Sequence, residues 1–170
     1  MSLRRFFPVL LFLLAGCASH PDAPFVGTPE RVIDEMLRLA APQAGDVLYD
    51  LGSGDGRIPI LAARRYGIRA VGIERDPQLV ARARAAAERE GVAHLVRFRE
   101  EDLFQADFSE ATVVTLYLQP WMNERLRPRL QALAPGTRIV AHQWGIAGWD
   151  PERAVEMEGE RVYLWTVPPR

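Results

Sequence analysis

The sequence has a single cysteine, Cys17, so an intrachain disulfide is excluded. It has no surplus of positive charge: 21 basic residues oppose 22 acidic ones, for a formal net charge of −1. That balance leaves no electrostatic footprint for a nucleic acid. No apolar run reaches the about 20 residues needed to span a bilayer. There are no repeats, no low-complexity tract, and no cluster of cysteine, histidine and acids with metal-ligand spacing. With 170 residues there is room for about one domain. Lysine is also missing, and all 21 basic residues are arginine. The abundance of Arg, Ala and Gly is in keeping with a compositional bias of the genome.

What is present begins with a processing signal. Arg4 and Arg5 precede an apolar stretch from Phe6 to Leu14, which runs into Leu14-Ala15-Gly16-Cys17. A basic region, a short apolar region and small residues before a cleavage point form a secretory signal. Cysteine directly after Leu-Ala-Gly resembles a bacterial lipobox, which implies lipidation at Cys17 and membrane association. Residues 1–17 are therefore expected to be a signal segment, 18–24 a polar, proline-containing tether, and 25–170 the folded domain. Which side of the membrane the domain faces is left open by the sequence.

From Phe25 onward the apolar period alternates between that of helices and that of strands. Thr28-Pro29 predicts an N-cap with proline at the first helical position, followed by a helix to about Pro42. Val47 to Leu51 is a short apolar run, as expected of a strand buried on both faces. Further strands are expected at Arg69–Glu74, His94–Arg99, Thr112–Leu118 and Thr137–His142. Helices are expected at Ile58–Tyr66, from Asp76-Pro77 to Gly91, and at Trp121–Leu133, where Pro128 predicts a bend or a restart. Ala154–Met157 and Val162–Val167 close the chain as a hairpin. Alternating strands and helices predict an α/β fold: an open, mostly parallel sheet covered on both faces, with one strand reversed by the hairpin.

The most informative stretch follows the first strand: Asp50-Leu51-Gly52-Ser53-Gly54-Asp55-Gly56-Arg57. In sheets of this kind ligands bind beyond the carboxyl ends of the strands, where strand order reverses. Gly52 and Gly54 remove side chains that would obstruct a ligand and permit positive φ. The next helix starts near Gly56 and offers backbone N–H groups to an anion. Asp50 and Asp55 add acceptors for a cationic group, so the loop suits the two ends of an amino acid. Glu74, closing the second strand, is placed to accept from a ribose diol. Asp102 is placed to accept from an exocyclic amine, with Leu103 packing on the base. Amino acid, ribose and adenine in that order describe S-adenosylmethionine.

These motifs resemble those of class I S-adenosylmethionine-dependent methyltransferases. Thr28-Pro29-Glu30, the 50–57 loop, Val113 to Leu118 and Pro135 to Val140 are further similar to the small protein-lysine methyltransferases, over essentially Phe25 to Pro168. That group includes archaeal broad-specificity enzymes and a mitochondrial enzyme acting on an ATP synthase c-subunit. The resemblance implies a Rossmann-like seven-stranded sheet ending in the hairpin described above. It also implies S-adenosylmethionine as cofactor and a lysine side chain of a protein as acceptor. By the same resemblance Asp50, Gly52 and Gly54 hold the methionine part, Glu74 the ribose, and Asp102 with Leu103 the adenine. Phe25, Thr28 and Tyr117 border the methyl group and the incoming amine, which makes Tyr117 the catalytic candidate. The chain carries Leu118-Gln119-Pro120-Trp121 in place of the Asn-Pro-Pro-aromatic motif of amide- and adenine-methylating relatives, which weighs against DNA or glutamine substrates. A lysine methylator without lysines also cannot modify its own side chains.

Plainer readings stand beside these. Tyr117 reads equally as a packed aromatic, and His142 as a satisfied strand-end histidine. Alternatively, Tyr117 and Trp121 with His142 and Trp144 build the slot that receives the amine. Asp55 and Arg57 either take part in binding or cap and solvate the helix start. Two other functions remain open at this level. One is an NAD(P)-binding Rossmann protein using Glu74 or Arg75, although the loop runs GxGxG rather than GxGxxG. The other is a non-catalytic lipoprotein that keeps the fold.

Overall fold

The structure, a computed structural model, describes residues 25–169; the expected signal segment, the tether and Cys17 lie outside the described residues. Four helices are interspersed with the first five strands, and the third strand passes to the fourth without a helix. In chain order the elements are α1 (Glu30–Ala40), β1 (Val47–Leu51), α2 (Arg57–Tyr66), β2 (Arg69–Glu74), α3 (Pro77–Arg89), β3 (Val96–Glu100), β4 (Val113–Leu116), α4 (Pro120–Gln131), β5 (Arg138–His142), β6 (Arg153–Met157) and β7 (Glu160–Thr166).

The seven strands form one sheet in the order β3-β2-β1-β4-β5-β7-β6. β1 pairs in parallel with both β2 and β4. β7 runs antiparallel between β5 and β6 and is the single reversed strand. This is the expected α/β sheet with its terminal hairpin. The order reverses between β1 and β4, so a crevice opens there beyond their carboxyl ends.

Strand pleating assigns the core to two layers. Leu48, Ala70, Val113 and Val140 face α1, α2 and α3. Their neighbours Val47, Tyr49, Leu51, Ile73, Val114, Leu116 and Ile139 face α4 and the 103–111 segment, against Leu126, Leu130 and Phe108. All five residues of β1 are buried, as its unbroken apolar run requires.

The structure departs from expectation at three boundaries. Pro29, not Thr28, is the N-cap of α1, with ψ of 145°. Its carbonyl accepts from Val32 and Ile33, and the Thr28 side chain makes no capping bond. The Thr28 carbonyl is instead held by Arg57, which keeps this residue buried against the crevice rather than in the helix. β4 ends at Leu116, so Tyr117 and Leu118 leave the ladder and turn toward the crevice. Pro128 lies inside α4 without ending it, although the helix stops soon afterwards at Gln131.

Candidate active site

A cleft of about 750 Å³ lies over the carboxyl ends of β1, β2 and β4. Its walls include Thr28, Asp50, Gly52, Glu74, Asp102, Leu103 and Tyr117, so nearly every residue singled out from the sequence is brought to one place. Gly54 lies against the ring of Phe25, a lining residue.

The loop after β1 is pinned before any ligand arrives. The N–H groups of Gly52 and Ser53 both donate to the Ile73 carbonyl, at 2.9 Å each. The Gly54 N–H donates to Glu74 Oε2 at 2.9 Å. Glu74 Oε1 accepts from the N–H groups of Arg75 and Asp76, at 2.8 and 3.0 Å. Glu74, expected from the sequence as a ribose acceptor at a strand end, fastens the glycine loop to β2 and to the start of α3. A carboxylate has about four lone-pair sites, so acceptor capacity is left over on the Oε2 side.

The helix terminus is less open to an anion than its glycines imply. The Gly56 N–H donates to the Ser53 carbonyl, the Arg57 N–H to Asp55 Oδ1, and Pro59 has none. Asp55 and Arg57 do more than solvate this end. The Arg57 guanidinium grips the Asp55 carboxylate through Nε and Nη2, at 2.9 and 2.7 Å, and its Nη1 donates to the Thr28 carbonyl at 3.1 Å. Its charge also lies 6.0 Å from the centroid of the Phe25 ring. Arg57 therefore straps residues 25–28 across the glycine loop.

Leu118 and the strap explain two of the glycines. Gly52 has φ of +81°, and a Cβ there would come within 2.8 Å of Leu118 Cδ2. Gly54 has φ of +55°, and a Cβ would strike the Phe25 ring. An L-residue in this conformation costs about 1–2 kcal/mol. Gly54→Ala is expected to lower the melting temperature by about 2–8 °C for a chain of this size. Thermal denaturation followed by circular dichroism checks this, and an unchanged midpoint would show that neither the left-handed backbone nor the Phe25 ring constrains this position.

Asp50 is buried at the bottom of the crevice, with one side-chain partner: the Thr115 hydroxyl donates to Oδ1 at 2.7 Å. Burial pushes its carboxyl up to about 7, the charges of Glu74 and Asp55 add to the rise, and the Thr115 bond opposes it. A carboxylate so poorly compensated favours a cation beside it. Ser53 contributes a second unanswered group, a buried hydroxyl without a partner among the described residues. Thr115 and Ser53 were not legible as site residues, because neither spacing nor charge marks them.

At the other end of the cleft, Asp102 Oδ1 accepts from the Phe104 N–H at 2.9 Å, which shapes the turn that carries Leu103. Phe104 stacks at 5.9 Å against Trp121, and the Arg125 guanidinium lies 3.9 Å over the Phe104 ring. This wall was missed, since Arg125 sits in an amphipathic helix where an arginine reads as surface.

Tyr117 is half-buried at the mouth, and burial raises its phenol above the ordinary range, with the Glu160 charge adding to the effect. His142 lies behind it rather than in the cleft, with ring centroids 4.0 Å apart. Trp144 is exposed and does not line the cleft either. The expected slot of four side chains is therefore made by Tyr117 and Trp121 with Phe25, and His142 serves as backing.

Comparison with known proteins agrees with this geometry. Residues 50–153 match the ANTKMT methyltransferase domain family. A protein named protein-lysine N-methyltransferase from Saccharolobus islandicus is 40% identical over 86% of this chain and 95% of its own. The adenine nucleotide translocase lysine N-methyltransferase of Mus musculus is 36% identical over 86% of this chain, which spans 64% of that protein's length. A crystal structure described as an RNA methyltransferase from Salinibacter ruber, in complex with S-adenosyl-L-homocysteine, is 57% identical. It superposes with a TM-score of 0.83 and covers 85% of this chain and 95% of its own. On these similarities the chain belongs to the ANTKMT methyltransferase domain family as an S-adenosylmethionine-dependent methyltransferase.

Proposed function

We propose that the enzyme transfers methyl groups to the side-chain nitrogen of lysine in proteins. The observation that carries this reading is the form of the mouth. Phe25, Tyr117 and Trp121 edge an open end of the donor cleft, and no further domain among the described residues closes over it. A mouth of that form admits a long side chain presented by a macromolecule. The names of the archaeal and mouse relatives support a lysine acceptor.

The residues present suit S-adenosylmethionine. Asp50, anionic only at a cost, is matched to an ammonium group, and the Ser53 hydroxyl lies unpaired in the same loop. Gly52 and Gly54 let Leu118 and Phe25 close against the loop, where a Cβ would strike them. Glu74 keeps acceptor capacity for a sugar diol, and Leu103 with Phe104 forms an apolar wall for a base. When bound, this cofactor supplies an activated methyl on a sulfonium, and the departing thioether is neutral, so the chain needs no acid for the leaving group.

The work left to the protein is positioning. The strap formed by Phe25 to Thr28 and Arg57 covers the loop and restricts water. Tyr117 and Trp121 form an aromatic passage that aligns an amine with the reacting carbon; holding reactants in line can supply several kcal/mol. The same apolar surroundings disfavour an ammonium, so the lysine is brought toward its deprotonated, nucleophilic form.

The direct test is incubation of the purified protein with isotopically labelled S-adenosylmethionine and cell lysate, read by mass spectrometry. Label on lysine is the expected result. Label confined to RNA would overturn the lysine reading in favour of the activity named for the Salinibacter ruber protein. The net charge of −1 speaks for a protein acceptor. We also propose membrane attachment through Cys17, on the strength of Leu14-Ala15-Gly16-Cys17. Fractionation of wild type and Cys17→Ser tests this, with the variant expected in the soluble fraction.

A further inference from the structure

The hairpin formed by β6 and β7 has a feature that sheet formation alone does not require. His142, the last residue of β5, is 1% exposed. Its Nε2 lies 2.9 Å from Glu160 Oε2. Glu160 opens β7, and its side chain is 25% exposed. The other ring nitrogen, Nδ1, is buried and has no partner among the described residues. Burial holds the imidazole below its ordinary range, Glu160 opposing and the Arg31 charge assisting, so the ring is neutral near pH 7. Facing a carboxylate, a neutral imidazole carries its proton on Nε2 and leaves Nδ1 bare. An unanswered buried acceptor costs about 1–3 kcal/mol, and a packed apolar residue would avoid that cost.

The compensating feature is the contact with Tyr117. The ring centroids are 4.0 Å apart at 38°, closer than the usual ~4.5–7 Å spacing of aromatic pairs. Tyr117 follows β4 and has no strand ladder to fix it. Its ring rests on a ring that is immobilised by one charge-assisted hydrogen bond from a different part of the sheet. We propose that His142 and Glu160 are positioning residues for methyl transfer: Glu160 locks the His142 ring, and that ring holds Tyr117 at the angle at which it borders the incoming amine.

The inference rests on Tyr117 bordering the acceptor, as set out under the proposed function. Glu160→Ala is expected to reduce kcat about tenfold with S-adenosylhomocysteine affinity close to wild type, while the orphaned Nε2–H lowers the melting temperature by about 2–10 °C. Glu160→Gln, whose amide oxygen still accepts from Nε2, is expected to keep most of the activity. In a Tyr117→Ala background the loss from Glu160→Ala should shrink below about twofold, because contacting residues that act together are not additive. Multiplying losses, or a Glu160→Ala enzyme with unchanged kcat, would overturn the proposal while leaving the lysine reading intact. If the wild type labels no lysine, the lysine reading fails by itself, and the coupling is still decided by NMR. Tyr117 ring protons are expected to show slow flipping in the wild type and fast averaging in Glu160→Ala. Identical flip rates in the two would overturn it.

Discussion

Glu74→Ala is expected to abolish detectable binding of S-adenosylhomocysteine, a loss of at least about 100-fold. The side chain accepts from the N–H groups of Gly54, Arg75 and Asp76, so its removal orphans three donors and frees the glycine loop from β2. Hydrogen bonds to charged groups contribute about 1.5–3 kcal/mol each, and one such loss alone corresponds to roughly 10- to 150-fold. Glu74→Gln retains a carbonyl oxygen but turns a donor toward one of these N–H groups, so an intermediate loss is expected. Calorimetric titration with circular dichroism as a folding control reads both variants. A Glu74→Ala protein that is folded and binds within threefold of wild type would remove Glu74 from the donor site.

Asp50 carries the second large effect, and its sign is set by burial. The folded-state pKa of about 7 lies above the ordinary value of 3.8, so the folded protein holds more protons than the unfolded chain between those limits. Stability of the ligand-free protein is therefore expected to fall as pH rises from about 4 to 7 on this account, and to level off above. Asp50→Asn removes that slope. Ligand binding has the opposite dependence. A cationic amino group needs the carboxylate, so affinity for S-adenosylhomocysteine should rise about tenfold per pH unit below 7 and flatten above it. Asp50→Asn should bind weakly and without that dependence. Titrations between pH 5.5 and 8 decide the matter, and a wild-type affinity independent of pH would exclude Asp50 as the partner of the amino group.

The two acids illustrate how far the sequence could be read. Both were assigned to the donor site from a glycine-rich turn and a strand-terminal position, and both line one cleft. Their partners were not legible. Thr115 reaches Asp50 across 65 positions, and the Gly54 N–H reaches Glu74 across 20. Such pairings depend on strand register: Asp50 lies opposite Thr115 in the β1–β4 ladder. The sequence allows Arg57 either binding or simple solvation, and only the path of residues 25–28 makes it a strap. His142 was expected as a satisfied strand-end residue or a slot wall. It is neither, since one nitrogen is unpaired and the ring lies beneath Tyr117.

The order of elements, the reversed last strand, the donor class and the acids that line the cleft were determined by local pattern: hydrophobic period, turn glycines and strand-end carboxylates. Those signals are short-range, so they survive in one dimension. Tertiary structure alone decided which donor each acid engages, how the helix terminus spends its N–H groups, and which aromatic rings meet at the mouth. These depend on residues far apart in the chain being brought within a few ångströms, and on burial, which sets the charge of Asp50 and His142.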